Sequence, residues 1–247
     1  MESGVLSLYD FAEDFLVDNN IDDYVAEGFF AQADIAMRYE RDDQVLYAMR
    51  QNDGTFFLCG SAMLVPHFIR SITRAGITVR RVFAESYMCI PFISDGGFLA
   101  ISSENYRCMV KGPNDGELID TRFVVPADSL QLSNIREYMP PGSTLSEYIQ
   151  DTYMITEGSG AVCVGHGAVG LNDAYYIKDV ATVPDSRNQG HAQKVVAYIA
   201  DKATTEDKKC YTVVSDGNAA MQAALLKAGF FTIRMYTMLE LRKADVK

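Results

Sequence analysis

The turn at residues 182–192 carries the residue pattern that is best suited to binding an anion. Residues 182–184 (Thr-Val-Pro) end an apolar, strand-like run, and a glycine-containing turn then leads directly into an amphipathic segment. The first N–H groups of a helix have no partner within the helix, and its dipole attracts negative charge there, so backbone alone can hold a pyrophosphate. Gly190 lets the main chain approach such a group closely, and the small Ala192 leaves the first helical turn uncrowded.

The elements around this turn follow an alternating order of strands and helices. Residues 174–183 predict a strand, and residues 188–203 place apolar side chains at helical spacing. Residues 210–214 are rich in β-branched side chains and predict a buried strand. Residues 219–227 predict a second helix, which Gly229 ends.

Two motifs in this stretch resemble those of the GCN5-related N-acetyltransferases, the GNAT family. Arg187-x-x-Gly190-x-Ala192 is similar to the family's Arg/Gln-x-x-Gly-x-Gly/Ala signature, and residues 218–230 resemble its later element, which begins with Asn and ends in Gly-Phe. The motifs occur in the family's order and spacing, and the resemblance covers residues 119–247. It implies an acyl-CoA N-acyltransferase fold, an α/β (α+β) architecture in which helices flank a mixed, strongly twisted sheet.

The resemblance also implies where acetyl-CoA, the co-substrate, binds. The ligand would enter between two splayed strands, pair with the main chain of residues 181–183, and place its pyrophosphate on the amides of residues 188–192, with Asn218 near its thiol end. No metal is implied, and the three histidines show no ligand spacing. The residues implied to bind the co-substrate are Ala181, Thr182, Val183, Arg187, Asn188, Gln189, Gly190, His191, Ala192 and Asn218.

Two positions depart from the family's catalytic pattern. Leu225 stands where many members have a tyrosine that protonates the leaving thiolate, and Tyr176 stands where many have a glutamate base. A free alkylamine has a pKa near ~10.4, so some group must take its proton before it attacks a thioester. Tyr176 with a lowered pKa, Asp179, or a water relay to Tyr175 or His166 are the alternatives.

Strict alternation along the predicted central strand sets which side chains share a face. It predicts that Tyr176 and Lys178 share one face with Val180 and Thr182, and that Asp179 lies on the other face. The two candidate catalytic residues, Tyr176 and Asp179, would therefore face opposite sides of the sheet.

The N-terminal half contains no such motif. Its first part predicts helices over 11–27 and 28–41 and then a hairpin over 45–60 around Asn52-Asp53-Gly54. The rest predicts a helix over 65–75 that ends at Gly76, a strand over 77–83, and a turn with a strand over 93–111. This order is that of a shortened acetyltransferase-like copy without a cofactor site. The turn cluster at residues 112–116 then predicts two tandem domains, an accessory or degenerate copy over 1–118 and a cofactor domain over 119–247.

Composition and charge exclude several classes of protein. With 48% hydrophobic and 22% charged residues, no long apolar run and an acidic N-terminus, neither a membrane span nor a secretory signal is expected. Five widely spaced cysteines without a Cys-x-x-Cys pair indicate reduced thiols and a cytoplasmic location. The net charge of −11 argues against nucleic-acid binding. Most of that excess lies in residues 1–118, which would attract a cationic amine or serve only solubility.

The function we predict is acyl-CoA-dependent N-acetylation of a primary amine by direct attack, without a covalent enzyme intermediate. A main-chain N–H of the central strand would stabilise the oxyanion. The departures at Leu225 and Tyr176 favour a rival, a catalytically silent acyl-CoA binder that acts as a sensor or interaction module. A second rival is an α/β protein unrelated to CoA. The sequence leaves the acceptor and the oligomeric state open.

Overall fold

The computed structural model describes residues 3–5, 25, 33–94, 97–112, 118–139, 143, 149–169 and 174–244. The chain folds as two compact units. Unit 1 consists of Met1–Arg107 and Arg234–Lys247, and unit 2 consists of Cys108–Ile233. The sequence predicted a domain boundary between residues 118 and 119, whereas the structure divides the chain between residues 107 and 108. The C-terminal segment from Arg234 also belongs to unit 1. The turn cluster on which the prediction was based lies mostly outside the described residues.

The regular elements alternate in the same manner in both halves of the chain. In the first half these are β1 (Ser3–Val5), β2 (Ala33–Arg41), β3 (Gln44–Gln51), β4 (Thr55–Gly60), α1 (Val65–Arg74), β5 (Arg81–Glu85), α2 (Ser86–Ser94) and β6 (Phe98–Lys111). In the second half they are β7 (Val125–Pro126), β8 (Thr152–Glu157), β9 (Gly160–Val169), β10 (Tyr175–Thr182), α3 (His191–Thr205), β11 (Cys210–Ser215), α4 (Ala219–Lys227) and β12 (Phe230–Lys243).

In unit 1, neighbouring strands from β1 to β4 pair antiparallel, and β4 pairs parallel with β5. The predicted hairpin is confirmed by β3 and β4, with Gly54 at φ +83° in its turn. The predicted helix over 65–75 is confirmed by α1, after which Gly76 adopts φ +69°. The C-terminal part of β12 pairs antiparallel with β5, and this is why residues 234–247 belong to unit 1.

The helix predicted over 28–41 is wrong for residues 33–41, which form β2. The apolar side chains of this stretch also fit a period of two, and Met37 and Tyr39 are buried on the sheet. Asp42 and Asp43 both adopt positive φ, which makes the two-residue turn that joins β2 to β3. The helix predicted over 11–27 lies outside the described residues except at Val25, and α2 was not predicted.

In unit 2, β8, β9 and β10 pair antiparallel, and β10 pairs parallel with β11. The predicted strands over 174–183 and 210–214 are confirmed by β10 and β11, and the predicted helices by α3 and α4. Two glycines of β9 set how closely α3 packs. A Cβ at Gly165 would lie 2.7 Å from Val195, and one at Gly167 would lie 2.9 Å from Ile199, so neither position has room for a side chain.

The two units share one order of elements and one pattern of pairing. The series β2, β3, β4, α1, β5, α2 in unit 1 corresponds to β8, β9, β10, α3, β11, α4 in unit 2. In each series two antiparallel steps are followed by one parallel pair. The fold is a mixed sheet with flanking helices, repeated along the chain.

Candidate functional site

A cavity of about 560 Å³ opens in unit 2 at the N-terminal end of α3. The end of β10, the following turn, the first turn of α3 and one face of α4 form its walls. Its lining residues are Tyr138, Val180, Ala181, Thr182, Ser186, Arg187, Asn188, Gly190, His191, Ala192, Gln193, Asn218, Ala220, Met221, Ala223, Ala224 and Lys227.

One wall of the cavity exists because β10 and β11 diverge. These strands pair in register only at their first residues, Tyr175 with Cys210 and Tyr176 with Tyr211. The Thr212 hydroxyl then donates a hydrogen bond of 2.8 Å to the Ile177 carbonyl. Farther along β10, residues 180–182 line the cavity instead of pairing with β11. An extended ligand can therefore lie along this open edge in place of a strand.

A β-bulge in β10 changes which side chains share a face. The register with β9 shifts between Lys178 and Ala181, and Asp179 adopts φ +56°. Because the bulge inserts one extra residue, Val180 packs on the α3 side of the sheet together with Ile177. The predicted alternation is therefore wrong at Val180, which does not share a face with Tyr176.

The turn before α3 combines open backbone donors with a left-handed glycine. Gly190 is the N-cap of α3 at φ +79°, and the first bond within the helix runs from the Lys194 N–H to the Gly190 carbonyl at 3.1 Å. The N–H groups of residues 191–193 precede that bond, so they have no partner within the helix. All three residues line the cavity, so the predicted anion site faces open space.

Most of the residues predicted to bind the co-substrate line this cavity, and two do not. The Val183 N–H donates to the Val162 carbonyl at 2.9 Å, so it faces β9 and not the open edge. The side-chain amide of Gln189 donates to the Asp185 carbonyl at 3.3 Å, and Gln189 does not line the cavity. The eight that do line it are Ala181, Thr182, Arg187, Asn188, Gly190, His191, Ala192 and Asn218.

Two side chains of the turn, those of Arg187 and His191, line the cavity. Arg187 Nε donates to the Thr182 carbonyl at 3.1 Å, which holds the guanidinium at the end of β10. The His191 side chain is only 10% exposed, and its Nε2 lies 3.4 Å from a Glu157 carboxylate oxygen. Both residues therefore form part of the wall of the cavity.

The wall formed by α4 consists mainly of small side chains. Asn218 caps the helix, because its Oδ1 accepts a hydrogen bond of 3.1 Å from the Met221 N–H. Ala220, Ala224 and Lys227 follow at helical spacing on the cavity side. The alanines leave room for a ligand, and Lys227 adds a positive charge. Sequence reasoning missed this wall, although the spacing from Asn218 contained the signal.

Leu225, at the family's tyrosine position, is fully buried in the core of unit 2 and does not line the cavity. The position therefore has neither a proton to give nor access to a ligand in the cavity.

The two candidate catalytic side chains lie at and before the bulge. Burial raises the pKa of Tyr176 to about 12, and its ring stacks on Tyr211 with 4.9 Å between centroids. A phenol with this pKa is protonated at neutral pH, so the structure does not provide the phenolate base that the sequence suggested. The Asp179 Oδ2 is buried and has no hydrogen-bond partner among the described residues. Neither Tyr176 nor Asp179 is among the residues that line the cavity.

His166, the third candidate, lies opposite Lys178 across β9 and β10. Its Nδ1 is 2.9 Å from the Thr152 hydroxyl, which fixes the ring. Burial and then the Lys178 charge lower the pKa of His166, against the opposite effect of Asp179 and Asp151. The imidazole is therefore neutral at neutral pH.

Three further observations concern the described part of the chain. Within the part of the chain that the structure describes, no group of His, Cys, Asp or Glu side chains could hold a metal ion. No helix there is both long and apolar enough to cross a membrane. The five cysteines are all buried, and none of them forms a disulfide bond.

The part of the chain that contains this cavity matches a known family model. Residues 128–230 match the family model described as the acetyltransferase (GNAT) family. A search of curated proteins gives no match.

Solved structures share the fold over nearly the whole chain. An acetyltransferase of the GNAT family from Colwellia psychrerythraea has a TM-score of 0.64 at 13% identity, covering 98% of this chain and 100% of that one. A GCN5-related N-acetyltransferase from Sphaerobacter thermophilus has a TM-score of 0.63 at 10% identity, covering 98% and 95%. One from Kribbella flavida has a TM-score of 0.61 at 12% identity, covering 88% and 92%. Residues 128–230, the segment that matches the GNAT family model, contain every residue that lines the cavity.

Proposed function

We propose that unit 2 binds acetyl-CoA in this cavity and transfers the acetyl group to a primary amine. The observation that carries the proposal is the combination of an open strand edge and an uncapped helix N-terminus in one cavity. An extended arm can pair along residues 180–182, and a pyrophosphate can accept hydrogen bonds from the first amides of α3. Arg187 and Lys227 add positive charge to the same cavity, which suits a ligand with several phosphates.

Within this proposal, the chemistry takes place where the bulge of β10 meets the cavity, next to the lining residue Val180. The thioester supplies an activated acetyl group, the amine nitrogen forms the new bond to its carbonyl carbon, and the carbon–sulfur bond breaks. The Asp179 carboxylate accepts the amine proton, because its buried Oδ2 has no other partner among the described residues. The Tyr176 phenol, held protonated by burial, donates a proton to the departing sulfur. A main-chain N–H of β10 stabilises the oxyanion.

We further propose that unit 1 is a copy of the domain that binds no cofactor. Its strands β4 and β5 stay paired over four consecutive positions, from Thr55 with Arg81 to Leu58 with Ala84, so no open edge is available. At the start of α1, Pro66 has no N–H to offer an anion, and the preceding Leu64 and Val65 are buried.

The acceptor and the compartment are the remaining parts of the proposal. The excess of acidic residues before residue 119 favours a cationic amine, by long-range attraction. The five cysteines, which are buried and form no disulfide bond, support a reducing, cytoplasmic location.

A thiol-release assay tests the reaction. The full chain is incubated with acetyl-CoA and a panel of polyamines, aminoglycosides, amino acids and peptides, beside a thermal-shift measurement with CoA alone. We expect a thermal shift and turnover on at least one amine. Asp179→Asn and Tyr176→Phe should each lower turnover more than ~tenfold at saturating substrate, with CoA affinity unchanged.

The alternative function is a silent acyl-CoA sensor, which the burial of Leu225 outside the cavity favours, since α4 offers no acid there. A thermal shift with CoA and no turnover on any amine would support the sensor. Absence of any shift would contradict both functions.

A further inference from the structure

We propose that Tyr138 of unit 2 contacts the acyl-CoA ligand. Its ring covers the ligand at the point where the pantetheine arm meets the pyrophosphate. This inference rests on the proposed binding of acyl-CoA. Tyr138 lines the cavity although it lies in the connection between β7 and β8, far from both sequence motifs.

The segment that carries Tyr138 is anchored in the core. Leu132 and Ile135 are almost fully buried, in a cluster that includes Ala181 of β10. Because Ala181 itself lines the cavity, the anchor is adjacent to the wall that the ring joins. The Tyr138 N–H donates to the Ile135 carbonyl at 3.0 Å, which ties the tyrosine backbone to that anchor.

The same segment is also fixed to the start of β9. The Ala161 N–H donates to the Gln131 carbonyl at 3.0 Å, and the Asn134 amide donates to the Ala161 carbonyl at 2.9 Å. Gly160 leaves the space that this contact needs, since a Cβ there would lie 2.8 Å from Asn134 Nδ2. Tyr138 therefore stands on a backbone that is held at several points.

Packing places Tyr138 near the end of β10, because the next residue, Met139, packs against the same cluster as Val183. A hydrogen bond with Glu137 raises the pKa of Tyr138, the charge of Asp185 adds to this, and Arg187 opposes it. The phenol is therefore within range of the charges of the turn that follows β10, and Glu137 already engages its hydroxyl. The ring, and not the hydroxyl, is left to contact a ligand.

This place along the cavity corresponds to one part of the donor. Residues 180–182 border the section for the pantetheine arm, and residues 188–192 border the section for the pyrophosphate. Tyr138 lines the same cavity, and its segment packs against Ala181 and Val183 at the end of the first section. The group that fits an aromatic surface there is the branched aliphatic end of pantetheine, next to the first phosphate. Tyr138 is 37% exposed, so contact of its ring with the ligand would remove apolar surface from water.

The test is isothermal titration of the full chain with CoA, 4′-phosphopantetheine and ADP. Tyr138→Ala is expected to lower the affinity for CoA and for phosphopantetheine by about five- to tenfold, and to leave that for ADP unchanged. Tyr138→Phe should bind all three like the wild type, because Glu137 already engages the hydroxyl. Tyr87→Ala, which removes a half-exposed tyrosine of unit 1, is the matched control and should change nothing.

Each other outcome overturns the assignment. CoA affinity that is unchanged in Tyr138→Ala would show that the ring makes no contact. A loss confined to CoA and ADP would place the ring on the nucleotide instead. An equal loss in Tyr138→Phe would assign the contact to the hydroxyl. If the wild type itself binds no CoA, the proposed function fails together with this inference, whereas the other outcomes leave that function intact.

Discussion

Replacing Gly190 with valine is expected to weaken CoA binding and to destabilise the domain, by two separable effects. The first effect is backbone strain, because Gly190 adopts φ +79° and an L residue in the left-handed region costs about 1–2 kcal/mol. Crowding within the protein does not add to this cost. The nearest heavy atom to a Cβ at Gly190 is the Gln193 side-chain oxygen, at 3.9 Å.

The second effect concerns the ligand. Gly190 lines the cavity, so the valine methyl groups would occupy space in front of the α3 amides. If those amides hold a pyrophosphate, CoA affinity should fall by at least ~1.4 kcal/mol, which is tenfold.

Gly76 offers a matched control for the strain. It follows α1 in unit 1, adopts φ +69°, and a Cβ there would meet nothing within 4 Å. Gly76→Val therefore introduces similar strain away from the cavity. Thermal denaturation should show both variants melting lower, by about 2–4 °C for each kcal/mol lost. Titration with CoA should show a loss of affinity in Gly190→Val alone. Wild-type CoA affinity in a folded Gly190→Val protein, or an equal loss in Gly76→Val, would refute the assignment of the turn.

Three further predictions concern stability and can be measured by denaturant unfolding. Leu225→Ala should cost about 2–5 kcal/mol, because the side chain is fully buried, with no change in CoA affinity. Lys202→Met should cost about 1–3 kcal/mol, since Lys202 Nζ lies 2.6 Å from Asp151 and 2.7 Å from the Tyr153 hydroxyl. Burial acts to raise the pKa of Asp151, but the Lys202 hydrogen bond and charge outweigh it and lower the pKa, so the stability that this pair contributes is present above pH ~4 and lost as pH falls. Lys202→Met should remove that acid dependence of the unfolding free energy. A double-mutant cycle with Asp151→Asn should show coupling between the two residues. Burial raises the pKa of the Cys163 thiol from 9.0 to about 11, so the stability that the protonated thiol contributes is complete below pH 9 and lost between pH 9 and 11. Cys163→Ala should therefore flatten the decline in unfolding free energy over that pH range.

Sequence alone determined the parts of this protein that depend on local backbone chemistry. The left-handed glycines at residues 54, 76 and 190 mark a hairpin turn, a helix end and a helix start, and the structure has each of them where the sequence predicted it. Helical spacing predicted the bounds that α4 has in the structure, and the cavity lies at the turn that contains the Arg187-x-x-Gly190-x-Ala192 motif. These features follow from φ preferences and periodicity within a few residues, so no distant contact is needed to specify them.

Only the tertiary structure decided the features that depend on partners far along the chain. Residues 33–41 are a strand because β3 is available to pair with them, which their own propensity does not reveal. The bulge at Asp179 depends on the register between β9 and β10, and it moved Val180 to the α3 side of the sheet. Tyr138 reaches the cavity because residues 132 and 135 are buried in the core of unit 2. The C-terminal part of β12 joins unit 1 because its residues 236–240 pair with β5. Pairing and burial between distant segments are set by the packing of the whole chain, and a local pattern carries no record of that packing.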